Sequence, residues 1–473
     1  MDRRTKIVAT IGPASRSPEM LERLIQAGMD VVRLNFSHGS REDHRQTIAE
    51  IRRVSRKLGM DVGILLDLQG PKIRTGDLAQ GEARLEDGAS FVITTKEAPG
   101  DAGRVMTTYP LLPMDLREGN RILLDDGLLE LEVEKTTSTE VYCRVIRGGV
   151  LKNRKGINIP GVSLQVSSFT EKDQEDLLTG IQEKVDFVAL SFVRSPGDVL
   201  KARDFIKSHQ AVIPLIAKIE KPEAVDNLDR ILKVSDGIMV ARGDLGVEIS
   251  PEKVPMIQKE IIRRCNEDGV PVITATQMLE SMIYHPYPTR AEASDVANAI
   301  MDGTDAVMLS GETAVGKYPV EAVSMMNKIA QVTEASLFRV HRSVPRFPTV
   351  MGDSAQAIAH AVYDTAMDLN AKAIVTFSRS GATALLISKY RPRMPVIAAT
   401  HASAILPRLS LYWGVHGILV DIRENTDEMI RTMETALLAK GFLQKGDTII
   451  ITLGVPLGVV GSTNMLMVHQ VGQ

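Results

Sequence analysis

The chain has 473 residues, 44% of them apolar and 24% charged, with a formal net charge of −3; it is too long for one ordinary domain and suits two to four. Charges that nearly cancel give no field favouring nucleic acid or an anionic membrane, and the two cysteines, Cys143 and Cys265, form no CxxC pair, which argues against a disulfide framework or a Cys-zinc site. The most hydrophobic stretches, such as Asp447 to Val460, are too short and too broken by Gly and Pro to span a bilayer, and the opening MDRRTKIVAT reads as a strand without a signal-peptide core, so the expectation is a soluble cytoplasmic enzyme.

Short Val/Ile-rich runs begin at Lys6 (KIVATIG), Val31 (VVRLNFS) and Gly63 (GILLDL). Between the first two lies SPEMLERLIQAG, with Ser17 as N-cap, Pro18 at the first helical position and Gly28 as stop. From about Gly70 to Ser168 the pattern changes to strands and turns (FVITT, RILLDDGLLELEVE, EVYCRVI), which predicts a small all-β insertion. Strand runs resume at Phe187 (FVALSF), Leu215 (LIAKIE), Gly237 (GIMVAR), Val272 (VITATQ) and Ala306 (AVMLSG), with a helix predicted from Pro251 to Gly269. Eight buried strands with intervening helices predict a (β/α)8 TIM barrel over 1–69 and 169–337, interrupted at its third strand–helix loop by a β lid over 70–168. SLFRVHRSVPRFP, from Ser336 to Pro348, reads as a linker. The runs AIVTFS, PVIAAT, GILV, TIIITLG and MLMVHQV then predict a C-terminal open α/β domain over 338–473.

Nearly every barrel strand ends in polar residues: Arg33, Asn35, Ser37 and His38; Asp67; Lys218 and Glu220; Arg242 and Asp244; Thr276 and Gln277; Ser310 and Glu312. Each alone is as readily a helix cap or a solvated strand end. Together they mark the C-terminal face of a parallel barrel, where active sites form. Glu220 and Asp244, without His or Cys, suit Mg²⁺ or Mn²⁺, which prefer oxygen ligands. Arg33, Arg74, Lys218 and Arg242 add cations, so the site is suited to an anionic, phosphorylated substrate. No Walker A or Gly-rich kinase loop is present, so phosphate binding falls to the barrel and its lid.

Several strings resemble the pyruvate kinase family: TKIVATIGPAS, VVRLNFSHG, LDLQGPKIRTG, KGINIPG, IAKIEKPEA, DGIMVARGDLGVEI, TATQMLESMI and PTRAEASDVANAIMDGTDAVMLSGETAVGKYP. They run in order along the whole chain. The resemblance implies an allosteric, homotetrameric, Mg²⁺-dependent (or Mn²⁺-dependent) glycolytic enzyme. It would transfer the phosphoryl group of phosphoenolpyruvate to ADP, giving pyruvate and ATP. It implies that Arg33 and Lys218 contact the transferring group, that Glu220 and Asp244 hold the metal, and that Gly243, Asp244 and Thr276 bind the substrate carboxylate. Thr276 and Ser310 would serve enolate protonation, and Asn35, His38, Arg74 and Lys155 the nucleotide. A phosphorylated effector would sit on Ser378, Arg379, Ser380, Gly381 and Thr383, a strand–helix turn whose hydroxyls and N–H groups make a phosphate cradle.

The sequence departs from the family pattern at three places. Val315 stands where a lysine often follows GETA. The late loop GVPLGVVGSTN lacks the Trp and Arg of members that respond to fructose 1,6-bisphosphate. Asn35, Ser37, Asp67 and Leu68 match the K⁺ region, but Leu68 replaces a threonine and Lys72 a glutamate. The resemblance is therefore to the bacterial, potassium-independent members, with the Lys72 ammonium substituting for K⁺. The alternatives are another phosphoenolpyruvate- or pyruvate-using barrel enzyme, such as a carbon–carbon lyase, and a non-catalytic regulator on the same scaffold.

Overall fold

The structure, a computed structural model, describes residues 3–162, 165–339, 354–421, 425–454 and 463–473. Eight parallel strands close into a barrel: Lys6–Thr10, Val31–Asn35, Gly63–Asp67, Phe187–Leu190, Leu215–Ile219, Gly237–Ala241, Val272–Ala275 and Ala306–Leu309. Each pairs with its successor, and the last pairs with the first. Both faces of such strands are buried, which is why they read as continuous apolar runs. Alternate residues divide the labour. Ile7, Val32, Ile64, Val188, Ala217 and Val240 pack against the surrounding helices. Val8, Val31, Leu65, Ala189, Ile216, Met239, Ile273 and Met308 fill the barrel interior. The period of two carries that inward face up to Arg33, Asp67, Ser191 and Lys218, each two residues beyond an interior apolar one.

The helices begin and end where local chemistry dictates. Ser17 caps Pro18–Ala27 through Met20 N–H, and Gly28 closes it at φ 118°, a left-handed conformation that costs glycine little. Thr289 and Glu292 form a capping box at the start of Arg290–Asp302.

Among its described residues the inserted segment is all β apart from a short helix, Leu112–Asp115. Its six-stranded sheet pairs mainly antiparallel and packs around Phe91, Ile93, Ile122, Leu131 and Val141. The C-terminal sheet has the order Val415–Leu419, Val396–Thr400, Ala373–Phe377, Thr448–Gly454, Thr463–Gln470, parallel except for the last strand. Among the described residues no helix is long and apolar enough to cross a membrane.

Three local expectations shift. The sixth barrel strand stops at Ala241, and Asp244 lies in the first turn of a short helix, Arg242–Glu248. Pro251–Lys253 is a 3-10 turn, and the helix proper runs Val254–Glu267. Ser336, expected to open a linker, is inside the helix Pro319–Arg339, because its apolar spacing continues; the remainder of that segment and most of the GVPLGVVGSTN loop lie outside the described residues.

The C-terminal domain enters the barrel. Leu411, 2% exposed, and Tyr412 belong to the same apolar cluster as the barrel interior. They close its N-terminal mouth, where Gly63 N–H donates to Ser410 Oγ (3.1 Å) and Lys6 Nζ to the Val415 carbonyl (2.8 Å). Beside them Lys389 Nζ reaches Asp305 Oδ2 at 2.6 Å, both fully buried, and Arg391 Nη1 lies 3.1 Å from Asp305 Oδ1.

Candidate active site

At the C-terminal mouth, three strands contribute one chain of buried charge. Arg33 Nε donates to Asp67 Oδ2 at 2.7 Å and its Nη1 to Thr10 Oγ1 at 3.0 Å. Asp67 Oδ1 lies 3.3 Å from Lys218 Nζ, which is 2.8 Å from Glu220 Oε1 and donates to Ser191 Oγ at 2.7 Å. Glu220 Oε2 accepts from Phe192 N–H at 2.9 Å. Burial alone would lower the Lys218 pKa, but Asp67 and Glu220 outweigh it and hold the ammonium above its ordinary range. Burial likewise opposes the charge on Asp67, yet Lys218 and Arg33 keep that carboxyl below its usual range. Glu220 is pushed up by burial; Lys218 opposes this, and the nearby charge of Asp244 adds to it. A cation between Glu220 and Asp244 would relieve that repulsion, and two hard carboxylates fit a divalent ion of the Mg²⁺ type.

Ser191 and Phe192 escaped the sequence reading because FVALSF looks like uninterrupted strand. The strand ends at Leu190, and Phe192 turns at φ 56°, rare for an aromatic residue. That turn aims its N–H at Glu220 while Ser191 receives Lys218. Alternation from Ala189 was the available signal for Ser191; nothing in the sequence pointed to Phe192.

Thr276 is also left-handed, at φ 68°, with Gln277 following at 55°. Gly243 N–H donates to Thr276 Oγ1 at 2.7 Å, which joins the ends of two neighbouring strands. Arg242 pins the same turn: Nη2 donates to the Thr276 carbonyl at 2.6 Å and Nη1 to Asp295 at 2.7 Å. Ser310 N–H is held by Glu312 Oε2 at 2.7 Å, while the Ser310 hydroxyl is buried without a hydrogen-bond partner among the described residues. A buried hydroxyl in that state is costly and available for a proton or a ligand.

Between the barrel and the β insertion runs a cleft lined by Lys72, Asp126, Gly156, Asn158, Phe192, Arg194, Lys221, Asp244 and Glu248. Lys72 Cε passes so close to Gly156 that a Cβ there would sit 3.3 Å away. Asn158 Nδ2 donates across the cleft to Glu248 at 2.9 Å, and Lys155 Nζ pairs with Asp125 at 2.9 Å within the insertion. Arg74 Nη1 donates to the Arg154 carbonyl at 3.0 Å. His38 is disfavoured from protonating by burial and then by Arg74, Lys72 and Arg33, which places these four groups in one electrostatic neighbourhood. Asn35 Oδ1 accepts from Ser37 N–H at 3.1 Å, and the Leu68 carbonyl accepts from Ser191 Oγ at 2.7 Å. Thr276 and Arg33 are thus on the barrel side, and Lys155 and Arg74 on the insertion side.

The turn after Ala373–Phe377 stands apart. Ser378 Oγ accepts from Gly381 N–H at 2.9 Å, Ser380 Oγ from Ala382 N–H at 3.4 Å, and Thr383 and Thr463 share a hydroxyl hydrogen bond at 2.7 Å. Arg379 and Ser380 are exposed.

Residues 2–323 match the family model described as "Pyruvate kinase, barrel domain", and residues 356–469 match "Pyruvate kinase, alpha/beta domain". The chain is 50% identical over 472 residues to pyruvate kinases of Staphylococcus aureus strains MRSA252 and USA300, covering 99% of this chain and 81% of theirs. A crystal structure of a pyruvate kinase from Cryptosporidium parvum superposes with a TM-score of 0.92 at 38% identity, covering 99% of this chain and 96% of that one.

Proposed function

The chain belongs to the pyruvate kinase family and is a phosphotransferase, and on that premise we propose that it makes pyruvate and ATP from phosphoenolpyruvate and ADP as a glycolytic enzyme of the cytoplasm. The observation that carries the reading is the Arg33–Asp67–Lys218–Glu220 chain: two cations fixed by buried carboxylates, beside a cleft lined by Phe192 and Asp244.

The bond between phosphorus and the enol oxygen breaks, and one forms to the terminal phosphate oxygen of ADP. Arg33 and Lys218 face the transferring group, and Lys218 stabilises charge that develops there. Both are pre-oriented by Asp67, so no reorganisation is needed at the moment of reaction. The family generally uses a divalent cation; Glu220 and Asp244 would hold Mg²⁺ or Mn²⁺, which supplies charge neutralisation on phosphoryl and enolate oxygens. Gly243, Asp244 and Thr276 bind the substrate carboxylate, the Thr276 hydroxyl yielding Gly243 N–H to it. The enolate then takes a proton at carbon, with Thr276 and the unpartnered Ser310 hydroxyl serving the proton path. Asn35, His38, Arg74 and Lys155 take the nucleotide, and the β insertion over 70–168 acts as a lid that keeps water from the phosphoryl group.

Potassium is not required in this reading. The oxygens of Asn35, Asp67 and Leu68 are already engaged by Ser37, by Arg33 and Lys218, and by Ser191, and Lys72 brings a fixed positive charge into the cleft. Over 338–473, the turn Ser378, Arg379, Ser380, Gly381 and Thr383 takes a phosphorylated effector, and the chain assembles as a homotetramer.

The deciding assay is pyruvate formation from phosphoenolpyruvate and ADP, with and without Mg²⁺, in a buffer whose monovalent cation is bulky and organic. Absence of ADP-dependent pyruvate would overturn the reading. Ser380→Asp, which places a carboxylate in the effector turn, is expected to abolish activation by sugar phosphates and spare basal turnover. A wild type indifferent to all of them would leave the turn structural.

A further inference from the structure

A second concavity lies on the opposite edge of the C-terminal sheet. Lys372 immediately precedes the strand Ala373–Phe377, Pro395 precedes Val396–Thr400, and Thr448 begins Thr448–Gly454. The Ser378–Thr383 turn follows the other end of the first of these strands. A five-residue strand rises about 3.3 Å per residue, so the two places are roughly 17 Å apart.

The lining comes from both sides of the domain junction: Arg4 from the barrel chain, and Leu369, Asn370, Lys372, Arg393, Met394, Pro395, Phe442, Gln444 and Asp447 from the C-terminal domain. Three of these are cations. Arg4 is only 8% exposed, and its Nη2 donates to the Arg393 carbonyl at 3.0 Å, which ties the two arginines together. Lys372 is exposed and Arg393 half-buried; neither side chain takes part in an ion pair or hydrogen bond among the described residues. Asp447 is the one carboxylate among the lining residues, and its Oδ2 accepts from Gln444 N–H at 2.7 Å. Behind the floor, His416 packs toward Phe442 with ring centroids 6.4 Å apart. Its pKa is pushed down to about 2, first by burial and then by Lys6, Arg4 and Arg3.

Two cations without counter-ions among the described residues line one concavity with a third, a lining suited to an anion carrying more than one charge. The apolar floor of Met394, Pro395 and Phe442 and the rim amides of Asn370 and Gln444 suit a small organic body with hydroxyls. We propose that this junction is a binding site for a small phosphate monoester, held by Arg4, Lys372 and Arg393 and distinct from the Ser378–Thr383 turn. Arg4 stands two residues before the first barrel strand, so the ligand bridges the two domains and favours their docked arrangement.

The test is calorimetric titration of the full-length protein with glycerol 3-phosphate, inorganic phosphate and, as a control, glycerol. It is run in the Ser380→Asp background, where the other phosphate turn carries a repelling charge. Both phosphates are expected to bind and raise the thermal midpoint, and glycerol to do neither. Adding Lys372→Glu and Arg393→Glu should weaken phosphate binding by about tenfold or more. Both side chains lack internal partners among the described residues, and an unchanged far-UV spectrum and basal turnover verify the fold. Equal affinity in the reversed-charge protein, or no binding of either phosphate at millimolar concentration, overturns the proposal. The readout is binding rather than turnover, so its failure is separable from failure of the catalytic reading.

Discussion

The ammonium of Lys218 lies 2.8 Å from the carboxylate of Glu220, and both side chains are at least nine-tenths buried. The same ammonium also touches Asp67, so it is at once the candidate catalytic cation and the counter-ion for two buried acids.

Lys218→Met should therefore have two effects. Turnover should fall by about 3–4 kcal/mol of transition-state stabilisation or more, the scale of losing one preorganised donor. Stability should fall as well, by about 3–5 kcal/mol, because two carboxylates lose their buried partner. Steady-state kinetics and urea unfolding measure the two separately. Near-native turnover would show that Lys218 is structural only.

Ser191→Ala removes the hydroxyl that receives Lys218 Nζ and that donates to the Leu68 carbonyl. The ammonium keeps its carboxylates but loses a fixed direction. We expect kcat to drop about tenfold or more with KM for ADP little changed, a loss of about 1–3 kcal/mol. Ser191→Thr, which keeps a hydroxyl, should recover part of it. Equal loss in both variants would point to packing instead.

The potassium prediction concerns Leu68 and Lys72. The wild type should be active with no added K⁺, and Lys72→Glu combined with Leu68→Thr should make turnover K⁺-dependent by removing one cation and supplying an oxygen ligand. Initial rates against K⁺ concentration for both proteins decide it. A wild type nearly inactive until K⁺ is added sinks the substitution argument and leaves the family assignment intact.

Lys6 yields a stability prediction with a definite sign. Its pKa is lowered from 10.5 to about 8, burial outweighing the pull of Asp30. Between those two values the unfolded chain holds a proton that the folded one has released, so stability rises with pH across that window. Relative to Lys6→Met, the wild type should gain up to about 3 kcal/mol between pH 8 and pH 10.5. Denaturant midpoints of the two proteins across that range give the difference. A flat difference would place the Lys6 pKa at its ordinary value, and a falling one above it.

The barrel strands were legible because burial on both faces makes each a compact apolar run. The same fact hid which residues point inward: in GILLD or LIAKI both parities are apolar until the final polar residue appears. Arg33, Asp67 and Lys218 could be grouped by their position at strand ends, but the hydrogen bonds joining them depend on register between strands, which no single segment encodes. Thr276 and Gly243 follow neighbouring strands, but their hydrogen bond forms at a left-handed turn that neither segment announces. Nothing in the segment around Lys389 and Arg391 marks their role, since their partner Asp305 lies 84 and 86 positions away. Nor does the segment around Leu411 and Tyr412 show that they pack into the barrel, for the same reason.

Those last two residues make the barrel an incomplete vessel by itself. A chain cut after Arg339 would keep all eight staves and lose its stopper: water would meet Val8, Leu65 and Phe187 from below, and Asp305 would be stripped of both its cations. Excision, fusion or domain exchange at that junction must carry the Leu411–Tyr412 peg with it. An inhibitor that prised the peg out would act on the barrel from underneath, without ever competing for the nucleotide cleft.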